Sequence, residues 1–140
     1  MTTRIFIAVL SILAGSSAFA QKPTRTLMHT FQDGRTIIFV AVVDQTTAPR
    51  GVVRSSDPAR QRTFTVSHQQ FEQMWRTLES GANQKYAGGE GASRTFDAIN
   101  NLVFSVGYMP NGKKTNYVIP KDRASSPTVA LARQLEAYAH

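Results

Sequence analysis

The sequence predicts an α+β domain: an antiparallel sheet of five or six strands with two helices packed mainly on one face. Three observations lead there. Residues 67–80 and 127–139 carry large apolar side chains at helical spacing. Apolar segments of strand length alternate in face, and two pairs of them meet at tight turns containing Asp-Gly or Asn-Gly. The helices fall after groups of strands rather than between every two, which favours hairpin pairing over a parallel sheet.

The segment 66–81 is the most completely specified. Ser67 followed by Gln70 forms a capping box, in which each side chain serves the other residue's backbone N–H. Val66 and Phe71 occupy the two positions of a hydrophobic staple. Phe71, Met74, Trp75 and Leu78 recur at i, i+3, i+4 and i+7, so one stripe faces a core. Gly81 is placed to end the helix in the left-handed conformation. The second helix is predicted over 127–139, with Ser126 as the residue that starts it and Pro127 at the first helical position, and with Leu131, Ala132, Leu135 and Tyr138 as its apolar stripe.

Residues 25–32 and 35–44 flank Asp33 and Gly34, a pair suited to a type I′ hairpin. Counting outward sets Phe31 opposite Thr36, His29 opposite Ile38 and Leu27 opposite Val40, all on one face. Residues 37–43 are apolar throughout, so this strand is expected inside the sheet and partly covered on both faces. Short strands follow at 52–55 and 61–66, the second with Phe64 and Val66 inward. Residues 81–93 hold four glycines and are expected to form a mobile surface loop. Residues 102–109 and 113–119 then flank Asn111 and Gly112, a second type I′ turn, setting Val106 opposite Tyr117 and Phe104 opposite Ile119. Lys114 and Asn116 fall on the opposite, wetter face. Pro120 stops the strand.

Residues 1–20 have the basic start, short apolar centre and A-x-A ending of a secretory signal peptide, so a single domain over 21–140 is expected, exported to the periplasm or the exterior. No second apolar run is long enough to span a bilayer as a helix, so no transmembrane segment is expected after leader cleavage. The chain has no cysteine, which excludes a disulfide framework and thiolate zinc sites. Its formal charge is +7, and an excess of positive charge draws a protein toward anionic partners.

Little catalytic chemistry is legible. The three histidines, His29, His68 and His140, have no metal-ligand spacing, and His29 is expected as a hydrogen-bonded core residue. No serine sits in a nucleophile elbow, and the carboxylates are scattered. Gly88, Gly89 and Gly91 lack the spacing of a phosphate-binding loop. Neither cofactor nor metal is expected, and no catalytic residue is assigned. The sharpest charged feature is Arg50, Arg54, Arg60 and Arg62, four arginines in thirteen residues with Asp57 as the only acid among them. Arginine forks pair with carboxylates and phosphates bidentately, so these four are the predicted anion-binding or partner-binding residues. Nucleic acid is not expected as a partner of an exported chain whose basic strands lack interleaved aromatics.

Phe104, Val106, the turn at Asn111 and Gly112, Tyr117, Val118, and then Ser126 and Pro127 opening a helix with Leu131 and Leu135 form a pattern. In this order the C-terminal third resembles the emfourin family of small bacterial domains, which inhibit thermolysin-like metalloproteases. The resemblance implies a hairpin-helix-hairpin-helix fold and a protease as partner. It rests on core and turn positions, so no functional residue is carried over. The expected function is that of an exported, non-enzymatic binding protein recognising another protein such as a protease. The alternatives are a binder of anionic envelope polymers or lipids through the arginines, and a small hydrolase with a pocket near His29 or His68.

Overall fold

A computed structural model describes residues 24–88, 97–109 and 112–140. The segment predicted as a signal peptide and two residues of the predicted second turn, Pro110 and Asn111, lie outside the described residues. The strands are β1 (Thr24–Asp33), β2 (Thr36–Val43), β3 (Arg50–Ser55), β4 (Arg62–Thr65), β5 (Ala87–Gly88), β6 (Asn101–Met109) and β7 (Lys114–Pro120). The helices are α1 (His68–Glu79), a single turn α2 (Gly81–Gln84) and α3 (Ser126–Ala137). All strands join one antiparallel sheet in the order β4-β3-β2-β1-β6-β7-β5. The class is the predicted one. The sheet has one strand more than expected because Ala87 and Gly88 pair with Tyr117 and Asn116.

Strand alternation sorts the side chains. Leu27, His29 and Phe31 on β1, Ile38, Val40 and Val42 on β2, Val53 on β3, Phe104 and Val106 on β6, and Tyr117 and Ile119 on β7 are all buried on the inner face. There they meet Phe71, Met74, Trp75 and Leu78 of α1 and Leu131, Ala132 and Leu135 of α3 in a single core. The capping box forms in full: Ser67 Oγ accepts from the Gln70 amide at 3.0 Å, and Gln70 Oε1 accepts from the Ser67 amide at 2.9 Å. Val66 and Phe71, the staple pair, are both buried.

The first hairpin pairs Asp33 with Thr36, Phe31 with Ile38, His29 with Val40 and Leu27 with Val42, two residues away from the predicted register. The loop is Gly34-Arg35, not Asp33-Gly34. Gly34 has φ of 62°, and it is the only described residue in the left-handed region, as a type II′ turn requires at its first central position. The second hairpin differs in the same way, pairing Phe104 with Tyr117 and Val106 with Thr115. Side chains repeat every two residues, so a slip of two leaves every face assignment intact.

Three local expectations are corrected. Gly81 is not left-handed: Ser80 takes an extended conformation and Gly81 opens the turn α2. Asn83 explains the difference, since its buried side-chain amide donates to the Thr77 and Leu78 carbonyls at 2.9 and 3.4 Å and so satisfies the helix end that a glycine cap would serve. The predicted loop over 81–93 is therefore structured through Gly88, and residues 89–93 lie outside the described residues. The cap of α3 is Ser125, not Ser126, with its hydroxyl accepting from the Thr128 amide. Thr128 Oγ1 in turn meets Ser125 Oγ at 2.8 Å and the Asn83 amide at 3.1 Å, so one buried polar cluster ties the ends of all three helices.

Candidate binding surface

The outer face of the sheet is divided. On the side of β1, β6 and β7, Thr30, Val103, Ser105 and Asn116 are buried, which corrects the expectation that Asn116 would be wet. On the side of β2 and β3 the face is open. Ile37 and Phe39 are 42% and 38% exposed although β2 lies inside the sheet, so the partial cover expected on both faces of that strand is thin at these two positions. Large apolar side chains on an interior strand are usually covered, and these two stand side by side on one face. Arg54 lies directly across from Phe39, Val52 across from Ala41 and Arg50 across from Val43. An open depression at this edge is lined by Phe39, Val52, Arg54, Ser55, Gln61 and Thr63.

The four predicted arginines do not act as one cluster. Arg50 and Arg54, four residues apart on a strand of period two, share the outer face and are exposed. Among the described residues neither has an acid within salt-bridge reach. Arg62 is set across from the buried Val53, hence on the inner face, where its Nη1 donates to the His140 carbonyl oxygen at 2.6 Å. Arg60 donates to Asp33 Oδ2 at 2.6 Å, and this contact holds the Asp33 carboxyl below the usual carboxylate range. Two of the four are thus committed to tying β4 and its preceding turn to the rest of the chain, and two are left for a partner.

A site that sequence reading missed lies at the other end of the sheet. Arg25 has the same strand parity as Leu27 and His29, which turns it inward. Its guanidinium lies over the rings of Phe71 and Trp75, at 5.1 and 5.2 Å from their centroids, and donates to Asp44 at 2.9 Å and to Glu72. His68 Nδ1 stands 3.5 Å from the other Asp44 oxygen. Every charge here is answered locally, and the group fastens α1 to β1. Glu72 is held below its ordinary range first by the hydrogen bond from Arg25. Its contribution is therefore present above the unfolded value of about 4.3 and is lost as pH falls through the lowered folded value. Thermal unfolding between pH 7 and pH 2 is expected to show a larger loss in the wild type than in Glu72→Gln, which has no proton to gain at that position. Equal losses would show that the contact does not couple folding to pH.

The histidines assemble no metal site. No group of three or more His, Asp or Glu side chains among the described residues is placed to hold an ion. His29 is buried between Phe31 and Phe104, so a substrate has no path to its ring. Among the described residues no helix is long and apolar enough to cross a membrane.

No family model, curated protein or solved structure matches this chain.

Proposed function

We propose that this chain is an exported, non-enzymatic binding domain that recognises another protein through the open part of its outer sheet face. The observation that supports this most directly is the exposed pair Ile37 and Phe39 on β2, with Arg54 directly across from Phe39 and Arg50 farther along the same face of β3, across from Val43. An apolar strip edged by arginines that have no acid in reach among the described residues complements a surface that presents an apolar side chain among carboxylates. The emfourin-like pattern of the C-terminal third adds a thermolysin-like protease as the partner to try first. The test mixes the purified chain with such metalloproteases and measures both peptidase activity and complex formation, with Phe39→Asp/Arg54→Glu as comparison. Inhibition or binding lost in the double variant supports the reading. Unchanged protease activity removes the inhibitor form, and binding that survives the double variant moves the contact off this face.

A second reading, attachment to anionic envelope polymers or lipids, is favoured by the same two arginines, which no acid among the described residues engages. Its signature is steep salt dependence. On a heparin column Arg50→Gln/Arg54→Gln is expected to elute at clearly lower salt than the wild type, while Arg60→Gln/Arg62→Gln, whose arginines are internally engaged, elutes near it. Identical elution of all three proteins removes the polymer reading.

A further inference from the structure

β4 ends the sheet on the side of the two arginines, and among the described residues no strand pairs with its outer margin. The Val66 amide donates to the Pro49 carbonyl at 3.1 Å, and pairing with β3 continues without interruption through Phe64 with Gly51 and Arg62 with Val53. Backbone groups alternate between the two sides of an antiparallel strand, so Thr63 and Thr65 aim their N–H and C=O groups away from β3. Both residues are exposed. Natural edge strands are commonly blunted by a proline, a bulge or a lysine, and β4 has none of these. Its charged residue, Arg62, is turned inward and tied to the His140 carbonyl. The opposite margin, β5, is only two residues long. Because β4 is itself short, an added strand gains two rungs from it, and side chains must supply the rest of the contact.

Strand alternation says which side chains those are. Thr65 lies across from Arg50 and Thr63 across from Val52, so both threonines share the outer face with Arg50 and Arg54. Residues of an added strand set across from Thr63 and Thr65 fall on that same face, two strand spacings or about 9.5 Å from β3. Only the small threonines stand between, so a glutamate there and an arginine of β3 can meet above them. Neither arginine has an acid in reach among the described residues. The intervening residue of the added strand falls on the inner face beside Phe64, which is half-buried and stacked on Tyr138, and an apolar side chain suits that margin.

We infer that a partner protein docks by adding an extended antiparallel segment to β4, with acidic side chains two residues apart toward Arg50 and Arg54 and an apolar one between them against Phe64. The inference rests on the reading that the open outer face recognises a protein, and it names how the partner is held. A second copy of this chain is not the occupant: edge-to-edge pairing of two β4 strands gathers two sets of Arg50 and Arg54 around one seam with no acid between them.

The probe is a fluorescein-labelled heptapeptide alternating glutamate and valine, titrated into the full chain by anisotropy. In the antiparallel arrangement the glutamate amides face β4 and the valine amides face away. N-methylation at the central glutamate is therefore expected to weaken binding by about tenfold or more, the equivalent of a backbone hydrogen bond, whereas N-methylation at a valine leaves it nearly unchanged. Thr63→Pro, which removes an edge N–H without touching the ladder to β3, is expected to produce a similar loss. Amide exchange at Thr63 and Thr65 is expected to slow when the peptide is bound. Equal or reversed effects of the two N-methyl groups overturn the strand addition. If the peptide binds, loses its affinity in Arg50→Glu/Arg54→Glu and is indifferent to both N-methylation and Thr63→Pro, strand addition fails while recognition by the open face stands. Absence of binding at millimolar peptide also overturns it, and complex formation by Phe39→Asp/Arg54→Glu then judges the broader reading separately.

Discussion

Phe71→Ala is expected to lower the unfolding free energy by about 3–5 kcal/mol, a large share of the roughly 5–15 kcal/mol that holds a domain together. Phe71 is fully buried, its ring packs near Trp75 with centroids 6.0 Å apart, and the Arg25 guanidinium lies over its ring at 5.1 Å from the centroid. Truncation removes the apolar transfer term, leaves a cavity under α1 and strips one aromatic face from a half-buried guanidinium. Trp75 and Tyr108, which meet edge to face at 5.7 Å, would keep part of the packing but cannot fill the space without leaving each other. Urea unfolding followed by Trp75 fluorescence measures the loss, and Phe71→Leu, which keeps most of the volume, should lose far less. A loss under about 1 kcal/mol for Phe71→Ala, at the level of an ordinary surface change, would mean that α1 is not the centre of the core.

Gly51→Ala is expected to cost about 1–3 kcal/mol, the range for forcing atoms into a packed site. A Cβ at Gly51 would lie 2.1 to 2.5 Å from three ring atoms of Phe64, which sits across from it on β4. The ring has little freedom to move away because its other side is stacked on Tyr138, 3.9 Å between centroids and 6° from parallel. A single methyl therefore pushes against the contact that joins the edge strand to the end of α3. The decisive measurement is a double-mutant cycle with Phe64→Ala. If the clash is the cause, the glycine substitution loses most of its effect once the ring is gone, giving a coupling of about 0.5–3 kcal/mol. Additive effects would place the cost in the backbone of β3 instead.

These residues also show how far local pattern carries. The cap at Ser67, the stripe of α1 and the identity of the inward residues on β1, β2, β6 and β7 depend on neighbours a few positions away and on periods of 3.6 and 2. Exact register was not legible, because it depends on which residue of a turn takes φ of 62°, and Asp33-Gly34 and Gly34-Arg35 look equally suitable until the strands pair. The end of α1 was misread for a related reason. Glycine after a helix is a strong local signal, yet Asn83 satisfies the same carbonyls from a side chain that Thr128, far along the chain, helps to hold.

By itself the sequence determined the class of the fold, the two long helices, the faces of the strands and the supply of arginines, all of them properties that short-range periodicity and turn chemistry encode. Tertiary structure alone decided which arginines are free, that Phe39 and Ile37 stand uncovered beside them, and that His29 meets Glu136 while Arg25 meets Glu72. Those outcomes depend on pairings between segments distant in the chain, where strand register and helix docking settle which charge finds a partner.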